Sequence, residues 1–270
     1  MGQVSAVAYS GFRTGQHPDR GAGSVDPSDA EMLEDLRLLT GHGFALIRLY
    51  DSRALSGRVL ELIERHNLPI GVMLGAWLAA EVDNHEHCEW LTEPIAAAKL
   101  ATNRVGNSAE IQRAIVLANR HPKTVIAVSV GNEALVKWND HLVTIDALMA
   151  YARTVKAAIA QPITTADNYV VFRENGRKLS QVLDFFAVHT YPVWEGKTVD
   201  EAPAFTIENL ESVRRAVPDV PIVIGEAGWP SIAEEFGERA SEAHQTTYTR
   251  WLLEWAATNH VTTFLFEAFD

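Results

Sequence analysis

Residues 221–230 read Pro221-Ile222-Val223-Ile224-Gly225-Glu226-Ala227-Gly228-Trp229-Pro230. Prolines at both ends keep the apolar segment short, and its β-branched composition is typical of a strand that is buried on both faces. A carboxylate that follows such a strand would be costly to desolvate if it pointed into the core. We therefore expect Glu226 to face a polar cleft at the mouth of a barrel.

Seven further short apolar runs occur along the chain. They are Val4–Tyr9, Phe44–Tyr50, Pro69–Trp77, Val125–Glu133, Pro162–Asn168, Phe185–Pro192 and Val261–Asp270. Segments with the spacing of amphipathic helices separate most of them. These segments are Pro27–Thr40, Leu55–Asn67, Ser108–Arg120, Ile145–Ala160, Thr206–Val217 and Glu242–Asn259, with a weaker candidate at Arg173–Val182. The alternation predicts an α/β fold with a parallel sheet, and the chain length favours a (β/α)8 TIM barrel that forms a single domain over residues 1–270.

The two ends of this pattern carry specific expectations. Asp26 is the predicted N-cap of the first helix, with Pro27 in its first turn. The sequence ends at Asp270 with the eighth predicted strand, so the eighth helix of such a barrel is missing from it. Because an uncovered strand would expose apolar surface, we interpret this as a trimmed chain.

The composition is acidic and restricts the possible partners. Asp and Glu number 35 against 23 Lys and Arg, which gives a formal net charge of −12. Nucleic acids and anionic membranes would repel such a chain, so we expect neither as a partner. The sequence shows no signal peptide and no apolar run of about 18 residues that would mark a transmembrane helix. Cys88 is the only cysteine, which excludes an internal disulfide.

The loop after the third predicted strand contains the polar cluster His85-Glu86-His87-Cys88-Glu89. Three kinds of metal ligand lie close together in it, but their adjacent spacing matches no established metal-binding pattern. We therefore interpret the segment as a polar loop that covers the barrel mouth. Neither a metal nor a cofactor is expected in this protein.

Two predicted strands end in glutamates that could act together. Glu133 ends the fourth strand and Glu226 the seventh, and in an eight-stranded barrel these strands nearly face each other across the mouth. Two carboxylates placed there could approach to roughly 5 Å, the separation of a retaining glycoside hydrolase. At that distance the pKa of one should rise and that of the other should fall, which would separate the acid from the nucleophile.

Further candidates for binding substrate or supporting the glutamates share a position at or just after a strand end. They are Arg48, Tyr50, Asp51, Trp77, Asn132, Asn168, Tyr191, Trp194, Trp229 and Glu267. Arg48 and Tyr191 could hold the Glu226 carboxylate, and Asn132 could bond a sugar hydroxyl. The flat indole faces suit stacking on sugar rings, which carry no charge to grip.

Several of these residues also have purely structural interpretations. Arg48 could form an ion pair with Asp51 or a glutamate inside the barrel, and Tyr191 could pack in the core with a satisfied hydroxyl. His189 lies in mid-strand and is interpreted as a core histidine rather than a general base. Three other tryptophans are assigned to packing: Trp138, Trp251 and Trp255.

Four motifs together resemble glycoside hydrolase family 17. They are Ile47-Arg48-Leu49-Tyr50-Asp51, Val130-Gly131-Asn132-Glu133, Gly225-Glu226-Ala227-Gly228-Trp229-Pro230-Ser231 and Phe266-Glu267-Ala268-Phe269-Asp270. They lie in the family's order and span nearly the whole chain, in the form found in bacterial members. The resemblance implies a (β/α)8 enzyme that acts on β-1,3-linked glucans with retention. It also implies that Glu133 is the acid/base and Glu226 the nucleophile, with Asn132, Tyr191 and Arg48 as their supports.

The acceptor in the second half of such a reaction stays open. With water the enzyme is an endo-β-1,3-glucanase, the function we expect, and with a second glucan it is a β-1,3-glucanosyltransferase with the same catalytic residues. An enzyme of the same clan with β-1,4 or β-1,2 preference is a further alternative. A carbohydrate-binding barrel without catalysis is also conceivable, although a pure binder has no need of two opposed carboxylates. The resemblance implies a periplasmic or extracellular location.

Overall fold

The computed structural model describes residues 5–13, 16 and 25–269. Val4 and Asp270, which were placed in the first and eighth predicted strands, lie outside the described residues. Among the helices of the described part, none is long and apolar enough to span a membrane.

Eight parallel strands form a closed barrel in the order β1 to β8, each hydrogen-bonded to its neighbours in sequence. The strands are β1 Ser5–Ala8, β2 Phe44–Arg48, β3 Gly71–Ala76, β4 Val125–Asn132, β5 Ile163–Asn168, β6 Phe186–His189, β7 Ile222–Ala227 and β8 Thr263–Leu265. The last of these pairs with the first and closes the ring. The predicted (β/α)8 architecture is therefore confirmed.

Helices lie between the strands and cover the outside of the barrel. They are α1 Asp29–Gly41, α2 Ala54–Arg65, α3 Ala97–Arg120, α4 Ile145–Ala158, α5 Tyr169–Leu179, α6 Ala202–Ala216 and α7 Glu242–Asn259, with a 3-10 helix at Glu234–Arg239. Their buried residues form one continuous apolar layer with the outward side chains of the strands.

The N-terminus of α1 differs from the prediction. Ser28, not Asp26, is its N-cap, and the Ser28 side chain accepts from the backbone of Glu31 while the Glu31 side chain accepts from the backbone of Ser28. This reciprocal capping box satisfies two backbone donors, which a cap two residues earlier would leave unpaired.

The start of α3 was also predicted wrongly. The helix begins at Ala97, whereas the apolar spacing predicted a start at Ser108 with a loop before it. Residues 97–107 are rich in alanine and other good helix formers but bury few side chains. A search for amphipathic spacing therefore misses them, although their intrinsic propensity favours a helix.

The barrel interior changes from apolar to polar toward the carboxyl ends of the strands. Small and apolar side chains fill its lower part, including Leu46 on β2 and Ala187 on β6. Two residues further along the same strands, and so on the same face, lie Arg48 and His189, both almost fully buried. The polar end of the interior is thus the carboxyl end, where functional residues of such barrels gather.

Candidate active site

Glu133 and Glu226 meet at the carboxyl end of the barrel. One carboxylate oxygen of each glutamate and one ring nitrogen of His189 all lie within 4.8 Å of one another. Glu226 is buried within β7, and Glu133 directly follows β4 with its side chain 21% exposed. The structure therefore brings the two carboxylates to the separation that the sequence suggested.

A bulge at the end of β4 aims Glu133 at the cleft. Between Ser129 and Asn132 the register shifts, because three steps along β4 match two along β5. Gly131 takes up the extra residue with a φ of +82°, a conformation that favours glycine. Glu133 itself has a φ of +44°, and its N–H donates to the carbonyl of Ala166 at 2.8 Å. The backbone at Glu133 is thus held in a sparsely populated conformation, as is common at active sites.

Three donors converge on the carboxylate of Glu226. Arg48 Nη1 donates to Oε1 at 2.7 Å and the Tyr50 hydroxyl to the same oxygen at 2.9 Å. The Tyr191 hydroxyl donates to Oε2 at 2.6 Å. Arg48 also donates to the carbonyl of Gly225 at 3.0 Å, which fixes its position. This set of donors, which includes a buried cation, fixes the orientation of both oxygens of Glu226.

The two tyrosines are held as donors. Burial raises the pKa of Tyr50 and of Tyr191 well above the usual value, and the nearby charge of Glu226 raises both further. Both hydroxyls therefore keep their protons throughout the physiological pH range.

His189 contacts both Glu133 and the arginine that binds Glu226. Its Nδ1 lies 2.9 Å from Glu133 Oε1, and its Nε2 lies 3.1 Å from Arg48 Nη1. Because an ionised carboxylate can only accept, Nδ1–H of His189 is the donor to Glu133. Sequence reasoning placed His189 in the core, where it is, but missed this link. A signal was available, since His189 and Tyr191 are two residues apart in the predicted strand Phe185–Pro192, and residues at that spacing share a face.

Asn132 stands between the two glutamates in the same network. Its Oδ1 accepts from Arg48 Nη2 at 2.5 Å, and its backbone carbonyl accepts from His141 Nε2 at 2.8 Å. Arg48 thus contacts Asn132, Glu226 and His189 at once. Of the two predicted ion-pair partners of Arg48, the structure has a glutamate, Glu226, and not Asp51, which lies 3.7 Å from Arg53.

The pKa of Glu133 is lowered to about 2. Burial of its carboxylate pushes the pKa up, but the hydrogen bond and the electrostatic effect of His189, followed by the hydrogen bond from Asn139, favour the ionised form and outweigh burial. The expectation that repulsion would raise the pKa of the acid was therefore wrong for the substrate-free protein. It took account of Glu226 but not of the two N–H donors on Glu133.

Trp229 is not a sugar platform. It is 3% exposed, its Nε1 donates to the carbonyl of Arg239 at 2.8 Å, and its ring packs on Tyr248 with centroids 5.6 Å apart. The prediction of a stacking role was wrong because the chain turns outward after β7. A side chain at Gly228 would lie 2.2 Å from the carbonyl oxygen of Phe266, so the turn needs glycine there.

We expect Trp229→Ala to destabilise the fold by about 3–5 kcal/mol, because it removes a large buried ring and leaves a cavity. Urea unfolding followed by circular dichroism would measure this. Trp194→Ala is the matched control, since Trp194 is 61% exposed, and its stability should change by at most about 0.5 kcal/mol. Equal stability of the two variants would contradict the packing role.

Two other predicted platforms lie at the surface of the mouth. Trp77 is half-buried, and its ring lies tilted against that of His141 with centroids 4.5 Å apart. Trp194 stands edge-on to Phe236, 4.7 Å away. Phe266, which the sequence did not single out, is 41% exposed and lies edge-on to Tyr191. Trp138, which was assigned to packing, is 48% exposed, so that assignment was wrong.

A cavity of about 400 Å³ opens beside Tyr50, over the ends of β1, β2 and β3. Tyr9, Asp51 and Trp77 contribute to its wall. Tyr50 lines this cavity and its hydroxyl donates to Glu226, so one residue joins the cavity wall to the two glutamates. Its mixed aromatic and polar lining is of the kind that binds neutral polar ligands.

The remaining predicted site residues have local structural partners. Asp51 accepts from the Ser56 hydroxyl at 3.0 Å near the start of α2. Asn168 caps α5 by accepting from the N–H of Val170 at 2.9 Å. Glu267 accepts from the Ser10 hydroxyl at 3.1 Å, which joins the loops after β8 and β1. Their roles toward substrate stay predictions.

The histidine-rich loop has a structural use. His85 Nδ1 lies 2.9 Å from Asp83 Oδ2, and Cys88 is buried. Across residues 5–13, 16 and 25–269, the only grouping with metal-like spacing is Glu133, His189 and Glu226. The carboxylate oxygens and ring nitrogens of these three residues already form hydrogen bonds with Arg48, two tyrosines, Asn139 and each other. This arrangement suits a pair of reacting carboxyl groups better than a cation site.

Comparisons with known proteins add to this picture. An endo-laminarinase from Formosa Hel1_33_131 matches over 98% of this chain and 78% of its own, with 23% identity and a TM-score of 0.84. A glycoside hydrolase family 17 β-1,3-glucanosyltransferase from Rhizomucor miehei matches over 98% and 86%, with 20% identity and a TM-score of 0.76. These similarities show a shared fold.

A search of the curated proteins found no match. The family model of the BtgE/BtgC glycoside hydrolase domain, however, matches residues 6–270. With a closed eight-stranded barrel and two opposed glutamates at its mouth, this chain belongs to the BtgE/BtgC glycoside hydrolase domain family.

Proposed function

We propose that this domain cleaves β-1,3-linked glucans by double displacement, with Glu226 as nucleophile and Glu133 as acid/base. One observation carries the proposal: oxygens of the two carboxylates lie within 4.8 Å, and a buried arginine holds one of them. Retaining glycosidases place their carboxyl groups about 5–5.5 Å apart, whereas inverting enzymes need a wider gap for water. The similar solved structures include an endo-laminarinase and a β-1,3-glucanosyltransferase, which supports this substrate class.

In the first step Glu226 attacks the anomeric carbon while Glu133 gives its proton to the leaving glycosidic oxygen. The C–O bond to the leaving sugar breaks and a glycosyl ester forms on Glu226. In the second step Glu133 takes a proton from the acceptor hydroxyl, which attacks the same carbon and releases Glu226. Configuration is retained because two inversions occur.

The neighbours of Glu226 match its role. Arg48 keeps a buried anion available, and the two tyrosines orient its oxygens toward one face of the sugar. The cavity beside Tyr50 lies on the nucleophile side of the pair, so we assign to it the sugar that becomes attached to Glu226. Trp77 on its wall is then a platform for that part of the glucan.

Endo-hydrolysis and glucanosyl transfer share every step except the choice of acceptor. Water gives the endo-β-1,3-glucanase that we favour, and a sugar hydroxyl gives the transferase. A periplasmic or extracellular location accompanies this proposal and rests on the resemblance to family 17.

Product analysis tests the substrate, the acceptor and the stereochemistry together. We expect chromatography of laminarin digests to show new oligosaccharides, and proton NMR to show the β-anomer as the first product. A net gain of reducing ends without longer products indicates hydrolysis, and products longer than a defined starting oligosaccharide indicate transfer, since both reactions release a shorter fragment. Digestion of β-1,4- or β-1,2-glucans alone would overturn the linkage, and a first-formed α-anomer would overturn retention.

A further inference from the structure

The loop between β4 and α4 folds back onto the residue that ends β4. Asn139 Nδ2 donates to Glu133 Oε2 at 2.9 Å, and the same nitrogen lies 3.4 Å from the backbone carbonyl of Glu133. Two residues further on, His141 reaches the carbonyl of Asn132. The loop thus holds both the carboxylate and the strained backbone of Glu133.

A second loop fixes the position of Asn139. Asn84, which is buried in the loop between β3 and α3, donates through Nδ2 to the backbone carbonyls of Lys137 and Asn139, both at 2.7 Å. These bonds involve the main chain of Asn139. Substitution of the Asn139 side chain therefore leaves the anchor of its backbone in place.

Both oxygens of Glu133 carry an N–H donor, His189 on Oε1 and Asn139 on Oε2. Two donors favour the carboxylate, which is the form that a general base needs and a general acid must not have. The charged and titratable groups nearest to Glu133 from other elements are Glu226, Asp167, His141 and Tyr191.

The two donors differ in how firmly they are held. His189 is fully buried and is fixed from its other side by Arg48. Asn139 is half-buried in a turn whose neighbours Trp138 and Asp140 are exposed. A ligand that enters from the mouth can therefore replace Asn139 but not His189.

We propose that Asn139 is a positioning residue for Glu133, whose amide occupies Oε2 in the substrate-free enzyme and is displaced by the glycosidic oxygen of the substrate. The inference rests on the proposed acid/base role of Glu133. Loss of this donor on binding lets Glu133 take a proton from solvent, and that proton passes to the leaving oxygen as the C–O bond breaks. In the second step the acceptor hydroxyl returns a proton to Glu133. When the product leaves, Asn139 donates to Oε2 again, and Glu133 releases that proton to solvent.

The test is a pH titration of the Glu133 carboxyl carbon by NMR in protein labelled with carbon-13 at glutamate, assigned with Glu133→Gln. In the substrate-free protein, Asn139→Ala should raise the proton affinity of Glu133 about tenfold, because a hydrogen bond to a charged group is lost. Asn119→Ala, on the outer surface of α3, is the matched control and should change nothing. An unchanged titration in folded Asn139→Ala would overturn the proposal.

The same titration with bound β-1,3-glucan oligosaccharide, in a Glu226→Gln background that blocks turnover, tests displacement. In this complex the pKa of Glu133 should be the same whether residue 139 is asparagine or alanine, because the bound substrate has already displaced the Asn139 amide. A persistent tenfold difference in the complex would overturn displacement. Should the oligosaccharide not bind at all, the proposed substrate is wrong, while the substrate-free titration still decides whether Asn139 acts on Glu133.

Kinetics give a second readout through the pH profiles. The pH profile of kcat/KM reports the pKa values of the free enzyme, and the pH profile of kcat reports those of the enzyme–substrate complex. In Asn139→Ala the profile of kcat/KM should move to higher pH while that of kcat stays in place. Equal movement of both profiles would contradict displacement. If Asn139→Ala does not fold, Asn139→Asp keeps the size of the side chain and should shift kcat/KM in the same direction.

Discussion

Turnover of β-1,3-glucan should fall by about 10⁴-fold or more in Glu226→Gln, the range found when a catalytic nucleophile is removed. The amide keeps the shape of the side chain but cannot form the glycosyl ester. Initial rates on laminarin, measured as reducing ends released, would give the ratio. Circular dichroism would show whether the barrel is intact.

One side effect of this change must be separated from catalysis. Glu226→Gln also removes the anion that faces buried Arg48, and breaking such a pair can destabilise a protein by about 3–5 kcal/mol. Glu226→Asp keeps the charge and withdraws the carboxylate by one methylene. It should still lose at least about 100-fold in rate, because misplacement of a reacting group by about 1 Å has that effect.

Glu61→Gln is the matched control for the chemistry of the substitution. Glu61 is exposed on α2, so its change should leave the rate as it is. Substantial activity of folded Glu226→Gln would remove Glu226 from the mechanism and with it the proposed double displacement.

The strands could be predicted from sequence because a buried parallel strand carries an unambiguous pattern. At Pro221 to Pro230 the β-branched run and its flanking prolines located β7 to within a residue at its start. The helices were harder, since their ends depend on caps and on propensity more than on apolar spacing. Ser28 and Ala97 illustrate the two causes: a capping box two residues later than expected, and an alanine-containing first part of α3 with little buried surface.

In the candidate site, too, residues on strands were easier to predict than residues in loops. Residues that lie on regular strands, such as Arg48 and Glu226, could be placed because the carboxyl ends of parallel strands share one edge of the barrel. Asn139 could not, because its contact with Glu133 depends on how an irregular loop folds back. Trp229 was misplaced for a related reason: the turn at Gly228, which passes close to the carbonyl of Phe266, sends the next side chain toward α7.

The site also shows that residue types alone do not predict the pKa of a catalytic carboxyl group. Two carboxylates so close together suggest a raised pKa for the acid, yet His189, and to a smaller extent Asn139, lower the pKa of Glu133 to about 2. A lowered pKa in the substrate-free form suits the base of the second step. The acid of the first step then requires that substrate binding change the surroundings of Glu133.

Replacing Glu133 separates these two steps. Glu133→Ala should lower the rate on glucans by about 10²–10⁴-fold, the contribution of general acid–base catalysis. An aryl β-glucoside with a good leaving group needs no acid for its departure, so the glycosyl ester on Glu226 should form and accumulate. Its hydrolysis should be slow, because no base remains to activate water.

Azide should restore turnover of the aryl glycoside by Glu133→Ala, because the anion needs no base and can enter the space that the carboxylate has left. It attacks the ester on Glu226 from the face opposite to that oxygen, so the product is the β-glycosyl azide. NMR of the isolated product would establish the anomer. An α-glycosyl azide would mean direct displacement by azide and would reverse the two roles, with Glu133 as nucleophile. Absence of any azide effect in a folded, ester-forming variant would contradict the assignment of Glu133 as acid/base.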